Sequence, residues 1–99
     1  MTITEIEEYI HQLFIINGMQ PYKVEFHYTN RYAGACNVKE RVIEISLIAI
    51  EGLSNERCKN LCLHEFCHAF SYYLFGTVAH DKYWSGTCDL MNCPDDLYI

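Results

Sequence analysis

Cations are scarce in this chain. Seven Lys and Arg stand against thirteen Asp and Glu, a net charge of −6 with the histidines neutral. A broad non-specific nucleic-acid surface needs clustered Lys and Arg, so charge argues against one and leaves room only for a local basic patch. Long apolar runs are missing too: no stretch approaches the roughly 20 residues of a membrane span. The acidic N-terminus lacks the basic segment and apolar block of a secretory signal, so the chain is expected to be cytoplasmic. Internal repeats, low-complexity segments and a domain linker are likewise absent. What remains is one domain over residues 1–99, apolar enough at 51% to fold around a modest core. Cysteine is not scarce. Cys36, Cys58, Cys62, Cys67, Cys88 and Cys93 could build a disulfide framework in a secreted protein. Without a signal, and with three of them in one expected helix, they read as reduced thiols buried as small hydrophobes.

The chemistry is concentrated in His64-Glu65-Phe66-Cys67-His68. On a helix, His-Glu-x-x-His places two imidazoles at i and i+4 on one face, and the intervening Glu65 can reach a water on a shared metal as general base. His80 follows twelve residues after His68 and is a candidate third ligand from a loop, with Trp84 four residues later to anchor that segment in the core. Three protein ligands with one position left open is the arrangement of catalytic zinc (Zn2+), whereas structural zinc closes with four. The plainer alternative is two packed helix histidines and an unrelated surface His80. The pattern's place in a long, capped helix weighs against it. Cys58 and Cys62, with Cys88 and Cys93, form a competing set of four possible ligands. A Cys67 nucleophile lacks an evident orienting group.

The surrounding pattern predicts an α+β fold: an N-terminal helix, a small antiparallel sheet of about three strands, a long zinc-binding helix and a short C-terminal helix. Thr4 with Glu7 fits a capping box for a first helix over 5–16, burying Ile3, Ile6, Ile10, Leu13 and Phe14 and stopping at Asn17-Gly18. Residues 22–28 alternate as a strand, with His27 on the polar side. Residues 32–38 and 42–47 read as a hairpin around Lys39-Glu40-Arg41, with Gly34 marking a bulge or a close backbone approach. Residues 48–53 fit either a helical turn or a strand extension. Ser54 or Asn55 caps the long helix, 55–75, which Gly76 ends. Leu63, Cys67, Phe70 and Leu74 are expected to bury against the sheet, beside a second stripe of His64, His68 and Tyr72. A last helix over 81–91 should turn Trp84 and Leu90 inward, with Cys93-Pro94 and the acidic Asp95-Asp96 beyond it.

In order, Arg31-Tyr32-Ala33-Gly34-Ala35-Cys36, Val42-Ile43-Glu44-Ile45-Ser46, His64-Glu65-Phe66-Cys67-His68-Ala69, Phe75-Gly76 and His80-Asp81-Lys82-Tyr83-Trp84 resemble a SprT-like zinc metallopeptidase domain. The resemblance spans nearly the whole chain loosely and about half of it at motif level. It implies zinc on His64, His68 and His80, Glu65 as general base, and a protein or peptide substrate. Asp81 stands where the family more often has Gly. Many members carry a C-terminal zinc ribbon or DNA-binding extension, whereas this sequence ends shortly after the third expected helix, and its acidity sets it apart from those that repair DNA–protein crosslinks; nucleic-acid binding is implied by the family alone. A core this small points to a phage, plasmid or compact bacterial genome, with the host cytoplasm as its site of action if phage encoded. Tyr72, Tyr73, Tyr83 and Arg31 are candidate oxyanion donors, and Val42 to Ser46 is expected to offer an exposed edge for substrate. The alternative is a zinc-stabilised interaction or host-regulatory protein that cuts nothing.

Overall fold

The structure, a computed structural model, describes residues 1–93; the expected Pro94 stop and the acidic pair Asp95-Asp96 lie outside the described residues. Four helices and three strands follow in the order α1 (Ile3–Ile16), β1 (Lys23–His27), β2 (Gly34–Asn37), β3 (Val42–Ser46), α2 (Leu47–Glu51), α3 (Asn55–Phe75) and α4 (Lys82–Leu90). Helix α1 starts two residues earlier than expected. Thr2, not Thr4, closes the capping box: its Oγ1 accepts from Glu5 N at 3.1 Å, and its own N donates to Glu5 Oε1 at 2.8 Å. Both Thr-x-x-Glu frames satisfy the motif, and the earlier one adds half a turn of helical hydrogen bonds. Ile3 consequently sits in the first turn, half exposed, while Ile6, Ile10, Leu13 and Phe14 are buried. Gly18 ends the helix in the left-handed region at φ 73°.

The sheet is mixed rather than antiparallel. Strands β2 and β3 form the expected antiparallel hairpin, but β1 pairs with β3 in parallel, giving the order β1-β3-β2. The cause is the connection 28–33, which crosses the end of β3 instead of turning back beside β1. Ser46 fastens that crossing twice, its N donating to Ala33 O at 2.9 Å and its Oγ to Thr29 O at 2.7 Å. As the central strand, β3 buries Ile43 and Ile45 completely. Val42 to Ser46 therefore offers no free edge to a substrate; the sheet edges are β1 and β2. On β1 the alternation holds through Tyr22, Val24 and half-buried Phe26, and Tyr28 is already exposed beyond the strand. His27 is on the surface as expected, bridging Glu25 (3.2 Å) and Glu44 (3.3 Å).

Residues 47–51 resolve as a short helix whose cap is Ser46, accepting from Ala49 N. Helix α3 keeps its expected bounds. Ser54 Oγ accepts from Arg57 N at its start, and Gly76, at φ 72°, donates to Tyr72 O at its end. Its burial does not follow a single stripe. All residues from 61 to 67 are buried, because α3 passes between α1, β2 and α4 and is covered on every side there. Phe14 joins the layers, stacking on Tyr22 and meeting Phe66 edge-on, both at 4.9 Å. Beyond this belt the expected stripe fails: Phe70 is partly covered and Leu74 exposed, since the last turns of α3 project past the core. Leu90, expected inside, is 74% exposed at the end of α4, whereas Trp84 is buried.

Candidate metal centre

His64 and His68 project from one face of α3 with ring centroids 5.2 Å apart. The loop after Gly76 brings His80 to them, 5.3 Å from the His64 ring and 4.6 Å from that of His68. One nitrogen from each ring can be chosen so that all three lie within 4.8 Å of one another, and His68 Nε2 and His80 Nε2 are 2.9 Å apart. The three histidines singled out from spacing are thus gathered in one place. Burial lowers the pKa of His64 from its ordinary value and brings that of His68 down to about 4, with the neighbouring imidazoles adding to both shifts. Neutral imidazole is the form that binds a metal, so the donor set fits a borderline ion such as zinc.

Trp84 is the base on which this cluster rests. Its ring lies 5.0, 5.3 and 4.5 Å from those of His64, His68 and His80, nearly parallel to the second. The sequence suggested an anchor for the third-histidine segment; that one indole contacts all three rings is a tertiary fact with no local signature. Asp81 fixes the same segment. Its Oδ1 accepts from Tyr83 N and Trp84 N, both at 3.1 Å, capping α4, while Thr77 Oγ1 donates to its Oδ2. Those bonds, the one from Thr77 first, hold the carboxyl below its usual range. Asp81 therefore organises the loop and helix around His80 through the backbone and Thr77.

Glu65 is almost wholly buried, with Oε2 3.9 Å from His64 Nε2. Burial pushes its pKa up to about 8, and the nearby Cys93 adds to the shift. The backbone of β2 presses on it: a Cβ at Gly34 would lie 3.0 Å from Glu65 Cγ and 3.1 Å from its Oε2. Gly34 thus marks a close approach, the second of the two readings its position in a strand allowed. The oxyanion candidates are scattered. Tyr72 and Tyr73 line a cavity of about 650 Å³ with Met19, Tyr22, Val38, Arg41 and Gly76. Tyr83 packs on Phe75, and Arg31 lies in the crossing connection. Arg41, held at φ 60° in the hairpin turn, reaches over the Tyr22 ring at 5.7 Å.

The cysteines regroup in a way the sequence did not indicate. Cys58 and Cys62 are buried on α3 but do not join Cys88 and Cys93; Cys67 does. Hydrogen bonding with Cys88 and Cys93, then burial, drives the Cys67 thiol far up from its ordinary value. No disulfide joins these residues.

The sequence pattern of the SprT-like family matches residues 4–98. The chain belongs to the SprT-like family. No curated protein matches this SprT-like chain in sequence. Its fold is similar to those of two archaeal metallopeptidase zymogens known from crystal structures. Abylysin of Pyrococcus abyssi superposes with a TM-score of 0.67 at 17% identity, over 89% of this chain and 77% of its own. Jannalysin of Methanocaldococcus jannaschii gives 0.69 at 15%, over 98% and 90%. No helix among the described residues is long and apolar enough to cross a membrane.

Proposed function

We propose that residues 1–99 form one zinc-dependent metallopeptidase domain, with zinc held by His64, His68 and His80 and peptide bonds of a protein substrate hydrolysed with Glu65 as general base. The observation that carries this is the convergence of three imidazoles beside a buried carboxyl, Glu65 Oε2 being 3.9 Å from His64 Nε2. Zinc bound there supplies Lewis acidity and makes water a nucleophile near neutral pH. Glu65 takes the proton of the attacking water and returns it to the leaving amine, and its seat beneath β2 keeps the carboxyl in one orientation for both transfers. Trp84 and Asp81 hold the His80 segment against α3. The cavity between Arg41 and Tyr72 receives a substrate side chain: Tyr72 stands one turn beyond His68 on α3, about 6 Å along the axis.

The test is cleavage of an unstructured protein such as casein by wild type, Glu65→Gln and His80→Ala, with zinc content measured on each. Glu65→Gln should keep zinc at the histidines and lose activity by about 10²-fold or more. His80→Ala should bind zinc more weakly and cleave little. Full cleavage by Glu65→Gln would overturn the general-base role. A zinc-loaded wild type that cuts nothing would favour the non-catalytic alternative, a metal-stabilised protein that binds a partner.

A further inference from the structure

Next to the histidines, Cys67, the residue before His68 on α3, meets Cys88 of α4 and Cys93 just beyond it. The three sulfurs lie within 4.8 Å of one another, and Cys67, Cys88 and Cys93 are 0%, 0% and 5% exposed. They come from α3 and from the end of α4, and the last is brought in by the turn that closes α4. Asn92 takes the left-handed conformation, φ 56°, that Gly or Asn adopts just past a helix end. The turn folds Cys93 back so that its N donates to Cys88 O at 2.8 Å, and its Sγ lies 3.8 Å from Asn60 O on α3. Cys58 and Cys62 supply the contrast: both are buried one turn apart on α3, yet no third ligand joins them in such a group among the described residues.

We propose that Cys67, Cys88 and Cys93 form a second metal site, separate from the histidines, that binds a soft thiophilic cation of the zinc and cadmium class through three sulfurs. Thiolates select such ions over hard ones. An ion about 2.3 Å from each sulfur needs sulfur separations of about 3.8–4.0 Å, so a trio already within 4.8 Å closes on it by small side-chain rotations. Binding displaces thiol protons and ties α4, which carries Trp84, to α3; the ion acts as a staple where a chain of this length has little core to spare. The buried position means that the ion, once bound, exchanges slowly.

Cobalt(II) is the probe, because thiolate ligation gives it an intense near-ultraviolet charge-transfer absorption that histidine ligation does not. Metal-free, reduced full-length protein is titrated with Co2+ alone and then Cd2+, and bound ions are counted by native mass spectrometry. Wild type should bind two ions and show the charge-transfer band. His80→Ala should lose or weaken one ion and keep the band. Cys93→Ser should lose the band and retain one ion, and Cys58→Ser should change neither. Should Cys93→Ser fail to fold, by circular dichroism, the wild type decides: protection of three thiols from alkylation by stoichiometric Cd2+ supports the site. A wild type with no charge-transfer band, or one whose band survives in folded Cys93→Ser, overturns it. Because the band is read apart from the ion at the histidines, failure here leaves the peptidase reading intact, and failure there leaves this one.

Discussion

At the centre, the backbone of Gly34 leaves no room for a side chain beside Glu65 and Leu61. A methyl group at position 34 would lie 3.0 Å from both Glu65 Cγ and Leu61 Cδ1, so one of the three must move. Gly34→Ala should displace the carboxyl while sparing the imidazoles. We expect kcat to fall several-fold with zinc affinity nearly unchanged, since the neighbours must give by only a few tenths of an ångström; steady-state kinetics with parallel zinc titration checks it. The titration of Glu65 has a measurable consequence in the metal-free chain. Its ordinary pKa of 4.5 is raised to about 8, so between those values the folded chain keeps a proton that the unfolded chain has lost, and stability falls as pH rises. His68, lowered from 6.5 to about 4, acts in the opposite sense, and its contribution is lost as pH falls below 6.5. The two oppose each other in mild acid, leaving a decline of about 1–2 kcal/mol from pH 6.5 to 8 that belongs to Glu65. Denaturant unfolding across that range should show it in chelator-treated wild type and not in Glu65→Gln. At this scale the sequence was most informative, because His64, Glu65 and His68 share one helix whose geometry fixes their spacing. Trp84's contact with all three imidazoles and the meeting of Cys67 with Cys93 depend on how helices pack, and no local pattern encodes that.

Among the elements, the segment from Thr77 to Trp84 matters most to the metal, for it delivers His80 and the indole beneath the cluster. Asp81 holds it by capping α4 and accepting from Thr77. Asp81→Ala should weaken zinc binding by about 10-fold, in the range seen when groups supporting a metal ligand are removed. Asp81→Asn, still a good cap, should lose much less, and competition against a chromophoric chelator measures both. The hairpin turn has a different part. Its strained Arg41 is the single cation lining the cavity beside Tyr72 among the described residues, so Arg41→Glu should raise KM for substrates with acidic side chains several-fold with kcat little changed, read from a peptide series. Helix α3 was legible to the residue because Ser54 and Gly76 are strong terminal signals. Helix α1 was misplaced because two Thr-x-x-Glu frames overlap, and the stripe through Leu74 failed because a helix covered on all sides has no single buried face.

For the molecule as a whole, metal and fold are expected to be coupled. With ions at both proposed sites, a strong chelator should lower the Tm of wild type and added zinc should restore it. The shift should be smaller in Cys93→Ser, which retains only the histidine site; differential scanning calorimetry with and without chelator makes the comparison. The α+β architecture was legible from the succession of periodic segments, whereas the parallel pairing of β1 was not, because it depends on the path of residues 28–33 and not on the composition of either strand. That pairing also orders events in time. The β2–β3 hairpin closes over a four-residue turn, but β1 must find its partner across far more chain, Lys23 opposite Val42. Loop closure favours the short connection. The hairpin is therefore expected to form first and β1 to dock onto a completed β3, an order that should appear as higher φ-values at Ile43 than at Val24.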